Sequence, residues 1–294
     1  MDEYADAAGL VERSAAAFVQ GIPEEPADDG FFGPASVTWK ISGDLSAPVA
    51  GLRALMIQAL HPLAMAGVDQ HSDWRADPVG RLAATSSYLA TLTFGERIVA
   101  QRAAARVRRI HDRVTGVDSE TGSPYAASDP ALLLWIHAAL VDSNLAAREH
   151  FSTPLPADDA DRYVEEMVVA AELLGVSAEL VPDSRAALTR YLDSVQPQLL
   201  CTRAARESMA YLLDPPGLSE ELAEIWQDIR DAAIISLPSW AREMYGYPVP
   251  SLTAMRREEI RQALGVLDAV FLGQPGVLEA RQRITLRARA AAAV

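Results

Sequence analysis

Polar side chains on two consecutive predicted helices are the strongest candidates for chemistry in this sequence. Arg81 and Thr85 are four residues apart and Tyr88 continues the spacing, so the three share one helical face. On the second helix, His111 shares its face with small apolar residues such as Ala104. Such an imidazole could bind a metal beside a flat ligand, or it could be a core histidine hydrogen-bonded to a carbonyl. From spacing alone, the core histidine is the more common of the two roles.

Four arginines of the second helix lie on a different face from His111. Arg113 is two residues from His111 and therefore points nearly the opposite way. The four follow helical spacing and are predicted to form a solvated face; they are Arg102, Arg106, Arg109 and Arg113.

Three other histidines occur near helix breaks or in apolar surroundings. His61 precedes Pro62, which should break an apolar helix and open irregular backbone, and His71 lies in a polar connection. Both are candidates for a catalytic base, although capping or turn chemistry is the ordinary role at such positions. His137 lies among leucines and is predicted to be buried and neutral. No role is assigned to His150.

Composition limits the classes of partner and compartment. The chain has 294 residues, is 50% hydrophobic and carries a net charge of -14, which argues against a nucleic-acid or anionic-membrane surface. Its one cysteine, Cys201, excludes intrachain disulfides and is expected to be a structural thiol. The N-terminus lacks a signal-peptide pattern, and no long run is free of charges and breakers. We therefore expect a soluble cytoplasmic protein without membrane insertion.

Amphipathic segments separated by prolines and glycines predict an all-α protein. No segment shows sustained strand alternation, and we expect a single large helical domain with a buried pocket. We divide it into an N-terminal helix and loop (1–34), a main region (35–250) and C-terminal helices packed on the same domain (251–294). Residues Val37 to Ser42 are predicted to be a short extended piece, and residues 116–130 a turn-rich connection.

Several common catalytic motifs are absent from the sequence. It contains no dinucleotide-binding or phosphate-binding glycine loop, no G-x-S-x-G and no H-E-x-x-H. None of the five histidines has a glutamate three residues before it, which argues against a di-iron bundle. The remaining prediction is a helical pocket with one or more histidines, suited to haem or to an apolar ligand.

Four segments in a fixed order resemble a known family. They read LRALMIQALHPLAMAGVDQHS, DPVGRLAATSSYLATLTFG, RIHDRVTG and YAASDPALLLWIHAALV. This succession, within roughly residues 35–250, resembles the catalytic domain shared by MpaB-type oxygenases and latex clearing proteins, the rubber oxygenases. The resemblance implies an all-α fold that holds one b-type haem. His111 matches the proximal iron ligand, and Arg81 and Thr85 match a haem-associated R-L-x-x-T motif.

The sequence also departs from the latex clearing proteins. They have a lysine before the motif threonine, where this chain has Ala84, and an upstream glutamate, whereas no glutamate lies between Glu25 and Glu96. A distal base would have to come from His61, Asp69 or His71. The resemblance thus implies dioxygen and an apolar substrate, with attack on a carbon-carbon double bond of an isoprenoid or other unsaturated lipid, rather than polyisoprene.

Two alternatives remain at this stage. The chain could be a haem-free helical module that binds an apolar ligand or a partner protein, or a haem sensor without catalysis. Helical proteins of this size also often form homodimers, and the sequence leaves that open.

Overall fold

The computed structural model describes residues 28–72, 74–216, 218, 220–248 and 251–271. The predicted N-terminal helix therefore lies outside the described residues. The helices are α1 (Val37–Ser42), α2 (Ala47–Gln58), α3 (Pro62–His71), α4 (Pro78–Phe94), α5 (Arg97–His111), α6 (Pro130–Phe151), α7 (Ala157–Glu166), α8 (Val168–Leu174), α9 (Arg185–Val195), α10 (Arg203–Leu213), α11 (Glu220–Ser236), α12 (Ser239–Tyr245) and α13 (Ala254–Phe271). Short 3-10 turns span Ala178–Leu180 and Gln196–Gln198. The predicted all-α class is confirmed.

Local capping explains where the helices next to the candidate residues begin. The Asp77 side chain accepts a hydrogen bond from the Gly80 amide at 2.9 Å, and Pro78 occupies the first turn of α4. Asp129 caps α6 in the same way through the Ala131 amide at 2.8 Å. Both helices therefore begin with a capping aspartate followed by proline.

The apolar helix before His61 breaks where the sequence predicts. His61 has extended backbone and precedes Pro62, and helices α2 and α3 are bent by 103° at this break. The break turns α3 away from the direction of α2. Helix α3 packs against α6, against α10 and against a small two-stranded sheet.

Helices α2 and α6 form the centre of the core. Met56, Ile57 and Trp135 are fully buried between these two helices and their neighbours. Helix α6 is long and apolar enough to cross a membrane, a property that buried core helices share, and most of its apolar window is inside the protein.

One buried cation joins three helices of this core. The Arg53 guanidinium on α2 donates to the Ser236 carbonyl at 2.9 Å and to the Ser143 hydroxyl at 2.7 Å. It also pairs with the Asp142 carboxylate at 2.7 Å. Because these partners lie on α6 and α11, Arg53 fixes the mutual positions of α2, α6 and α11.

One predicted local structure is wrong, and a second is incomplete. Val37–Ser42 is helical rather than extended, because Ser36 caps it and Glu166 of α7 accepts from two of its free amides. The turn-rich connection includes a hairpin of β1 (Thr115–Val117) and β2 (Pro124–Ala126), which pair antiparallel. These strands have three residues each, too few to show alternation in the sequence.

The described C-terminal helix packs on the same core. Ile260 and Leu264 of α13 are 0% and 1% exposed and contact the main apolar cluster. Arg256 of α13 pairs with Asp228 and Asp231 of α11 at 2.6 and 2.8 Å. The division of the chain at residues 34 and 250 stays a prediction.

Candidate functional site

A tight turn between α4 and α5 places the predicted site residues side by side. The helices are separated by Gly95 and Glu96 only, so they pack as antiparallel neighbours. A Cβ on Gly95 would lie 2.3 Å from the Thr91 carbonyl oxygen, and a Cβ on Gly30 would lie 2.3 Å from the Gly95 carbonyl oxygen. The turn therefore requires glycine at both positions.

Residues just before α1 hold the start of α5. The Asp28 carboxylate accepts from the Arg97 amide at 2.9 Å, and the Gly30 carbonyl accepts from the Arg97 guanidinium at 3.1 Å. The guanidinium also lies 4.5 Å from the centre of the Phe31 ring. The side chain of Glu96, the cap residue of α5, makes no capping hydrogen bond. Asp28 therefore accepts from an amide at the start of α5 that would otherwise lack this partner.

Arg81 and Thr85 contact each other on the first turns of α4. The Arg81 guanidinium donates to the Thr85 hydroxyl, which donates to the Arg81 carbonyl at 3.2 Å. Arg81 keeps exposed surface, but partial burial of the guanidinium lowers its pKa. Within the part of the chain that the structure describes, Arg81 forms no ion pair, so a cation is available here for an anionic group.

His111 is the last residue of α5 and lies near Arg81. Burial lowers the pKa of His111 below its ordinary 6.5, the Arg81 guanidinium lowers it further and Asp112 opposes the shift. The imidazole is therefore neutral at pH 7, with a nitrogen lone pair available. Ala100 and Ala104, on the same face, are fully buried.

Nδ1 of His111 has no hydrogen-bond partner among the described residues. This nitrogen is shielded from bulk solvent. The sequence left two roles open, a core histidine bonded to a carbonyl and a ligand. The carbonyl partner required by the first role is not found in the described chain.

His61 and His71 occupy opposite ends of α3 and differ in their surroundings. His61 is 6% exposed, packs against the Trp135 ring and has a buried Nδ1 without a partner among the described groups. Burial lowers its pKa, and Asp129 opposes this. His71 is exposed and its Nε2 lies 3.1 Å from the Thr115 carbonyl oxygen, a contact that ties α3 to β1.

Helix α3 approaches the end of α5 that carries His111. A Cβ on Gly67 would lie 3.7 Å from the Val114 side chain, and Val114 packs with Leu63 against a small apolar cluster. The structure thus places Arg81 near both Thr85 and His111, and α3 contacts the turn that follows His111.

Open clefts occur elsewhere on the surface. One of about 610 Å³ is lined by Glu165, Leu180, Arg190 and Tyr191 and their neighbours, and one of about 400 Å³ lies at the end of α12. Neither contains Arg81, Thr85 or His111.

Comparison with known families places this arrangement in context. Residues 39–269 match the sequence profile described as the ER-bound oxygenase mpaB/B'/rubber oxygenase, catalytic domain. The chain belongs to this family. The match covers most of the chain and includes every candidate histidine and the α4–α5 pair. No curated protein and no solved structure matched the sequence.

Membership of the mpaB/rubber oxygenase family supports an oxygenase-like activity, and the donor set of this oxygenase domain can be tested against a haem. The described residues contain no group of three or more histidine, cysteine or carboxylate side chains able to hold a metal ion. A haem iron requires one axial ligand from the protein, and a neutral, unpartnered imidazole beside alanines meets that requirement. Arg81 provides a cation for the acidic groups of the macrocycle. The residues present therefore fit a haem.

The sequence places Tyr88 on the face of Arg81 and Thr85 but indicates no chemical role for it. The Tyr88 hydroxyl is buried without a described hydrogen-bond partner, and burial raises its pKa to about 12 although Arg108 opposes the shift. Tyr88 shares the α4 face of Arg81 and Thr85, so the i, i+3 spacing was the available signal. At neutral pH its hydroxyl is protonated and can donate to a ligand.

Proposed function

We propose that this protein is a b-type haem-dependent oxygenase in which His111 would bind the haem iron. The observation that carries the proposal is the buried Nδ1 of a neutral His111 without a hydrogen-bond partner among the described residues. An unsatisfied buried imidazole costs free energy, and a bound ligand would remove that cost. Family membership supports oxygenase chemistry independently.

The residues around His111 take defined roles in this proposal. Ala100 and Ala104 are small and fully buried, so the α5 face that carries His111 has no large side chain at these two positions. Arg81 pairs with an acidic side group of the macrocycle, and its contact with Thr85 limits the rotamers of the guanidinium. Tyr88 offers a hydroxyl donor on the same face of α4.

The substrate that we propose is an isoprenoid or another unsaturated lipid. When bound, haem supplies dioxygen activation for attack on a carbon-carbon double bond. Apolar side chains of α3 and α6 form a small cluster with Val114, just after His111, and this cluster would exclude water from an apolar chain. His61 would be the group that exchanges a proton with the substrate or dioxygen, since it is buried, neutral and has no described partner for Nδ1.

An absorption spectrum of the purified protein, before and after dithionite and with iron counted per chain, tests the proposal. We expect a Soret band and one iron per chain. The His111→Ala variant should lose the pigment, and His111→Gly should regain it when imidazole is added. His150→Ala, which alters a half-buried histidine at the far end of α6, is the matched control and should keep full pigment.

Three results would overturn parts of the proposal. A wild-type protein that is colourless and takes up no added haemin would exclude haem and leave a helical binding module. If His111→Ala kept full pigment and His61→Ala lost it, His61 rather than His111 would be the iron ligand. Reversible gas binding without any product from unsaturated lipids would indicate a sensor.

A further inference from the structure

The outer face of α5 carries a line of arginines. At 100° per residue, Arg102, Arg106 and Arg109 fall within an arc of about 60°, and Arg113 continues the line in the turn after the helix. All four side chains are exposed, as the sequence predicts. We call these four residues the arginine stripe.

The arginine stripe has no carboxylate partners in the part of the chain that the structure describes. Other arginines of the fold, including Arg53, Arg75 and Arg256, form ion pairs. Helix α5 contains no acidic residue, and Asp112 at its end is the nearest one in sequence. In a chain of net charge -14, this concentration of unpaired positive charge is a local exception.

Aliphatic side chains border the stripe on both sides. Ile98 on one side is 49% exposed, and Val99 and Ile110 on the other are 43% and 53% exposed. Such a combination of arginines with exposed aliphatic groups is typical of helices that lie on a membrane surface. Nucleic-acid surfaces instead interleave basic residues with aromatic rings, which α5 lacks.

We propose that the outer face of α5 docks peripherally on an anionic lipid bilayer. The arginines of the stripe contact lipid phosphates, and Ile98, Val99 and Ile110 enter the interfacial layer. The net charge of the whole chain argues against such a surface. Screening at physiological salt limits electrostatic contact to about 8 Å, so the charge of the α5 face determines whether it binds an anionic bilayer. The proposal goes beyond the oxygenase function and does not depend on haem.

Vesicle flotation with the full chain tests the docking. The probes are vesicles of phosphatidylcholine alone and of equal parts phosphatidylcholine and phosphatidylglycerol, at low and high salt. We expect binding to the anionic vesicles only, weakened by salt. Replacing the four stripe arginines by glutamine should reduce the partition coefficient by roughly several hundredfold, because each basic residue contributes about fivefold near such a surface.

A second quadruple variant provides a matched control. Arg190→Gln, Arg206→Gln, Arg257→Gln and Arg261→Gln remove the same charge from exposed positions elsewhere and should keep most of the binding. Ile98→Ser with Ile110→Ser should weaken binding while keeping its salt dependence. All variants alter surface positions, and far-UV circular dichroism confirms that they fold.

Three outcomes would overturn the proposal. One is a wild-type protein that stays off anionic vesicles, even if it binds DNA or heparin through the stripe. Another is equal loss in the two quadruple variants, which would indicate non-specific charge. The third is equal binding to neutral and anionic vesicles. Because no outcome involves pigment, failure here is separate from failure of the haem assignment.

Discussion

Acidification should destabilise this protein through His137, and replacing that residue should remove the effect. His137 is 8% exposed and lies on α6 among the buried side chains of Leu133, Leu134 and Val141. Burial lowers the pKa of His137 from 6.5 to about 4, and no hydrogen bond to another described residue offsets it. The burial predicted for His137 is therefore confirmed.

The direction and size follow from proton linkage. Between pH 6.5 and pH 4 the unfolded chain binds a proton at His137 that the folded protein does not bind, so stability falls as pH falls. At 1.36 kcal/mol per pKa unit, the loss reaches about 2 kcal/mol at about pH 5 and about 3 kcal/mol below the folded pKa. Above pH 7 the contribution is negligible.

The assay compares urea unfolding of the wild type and His137→Leu by far-UV circular dichroism at several pH values. Leucine keeps the site apolar and cannot titrate. Titrations common to both proteins cancel, so the difference in unfolding free energy should move by about 2 kcal/mol in favour of the variant between pH 7.5 and pH 5. Parallel pH profiles would refute the reasoning, because His137 would then be protonated within the fold at no cost.

Two further changes test the supports of the fold. Asp142→Ala leaves the buried Arg53 cation without its carboxylate and should lower the unfolding free energy by about 3 kcal/mol. This value is at the low end for a buried pair because Asp142 is 30% exposed. The control Asp183→Ala, at an exposed position, should change the unfolding free energy by less than about 0.5 kcal/mol. Glu166→Ala removes the acceptor for the Thr38 amide and hydroxyl, both at 2.8 Å. It should lower the unfolding free energy by about 2 kcal/mol and speed amide hydrogen exchange in α1. Unchanged exchange would contradict the role of Glu166 in capping α1.

Features encoded by neighbouring residues could be predicted from the sequence. Pro62 forces a break whatever surrounds it, and Asp77 and Asp129 cap helices through amides two or three residues away. The pairing of Arg81 with Thr85 is likewise local, since both lie on one helical face. In these cases the interacting partners are close in the chain, and periodicity is sufficient.

Features that depend on distant partners could not be predicted. Helix α1 was expected to be extended because its capping partner, Glu166, is 128 residues from Thr38. The contact of His71 with Thr115 depends on the hairpin, which the sequence pattern did not reveal. The absence of a described hydrogen-bond partner for His111 Nδ1 also depends on tertiary structure. Spacing shows which helical face a side chain occupies but not which groups pack opposite it.

The contacts at the start of α5 set a limit on how far the chain can be shortened. The family match begins at residue 39, yet Asp28, Gly30 and Phe31 all contact Arg97 at the start of the helix that ends in His111. A chain trimmed to the matched region would lose the acceptor for the Arg97 amide and the glycine that packs on the α4–α5 turn. The smallest unit able to hold the site in place therefore begins before the family's sequence boundary, at or before residue 28.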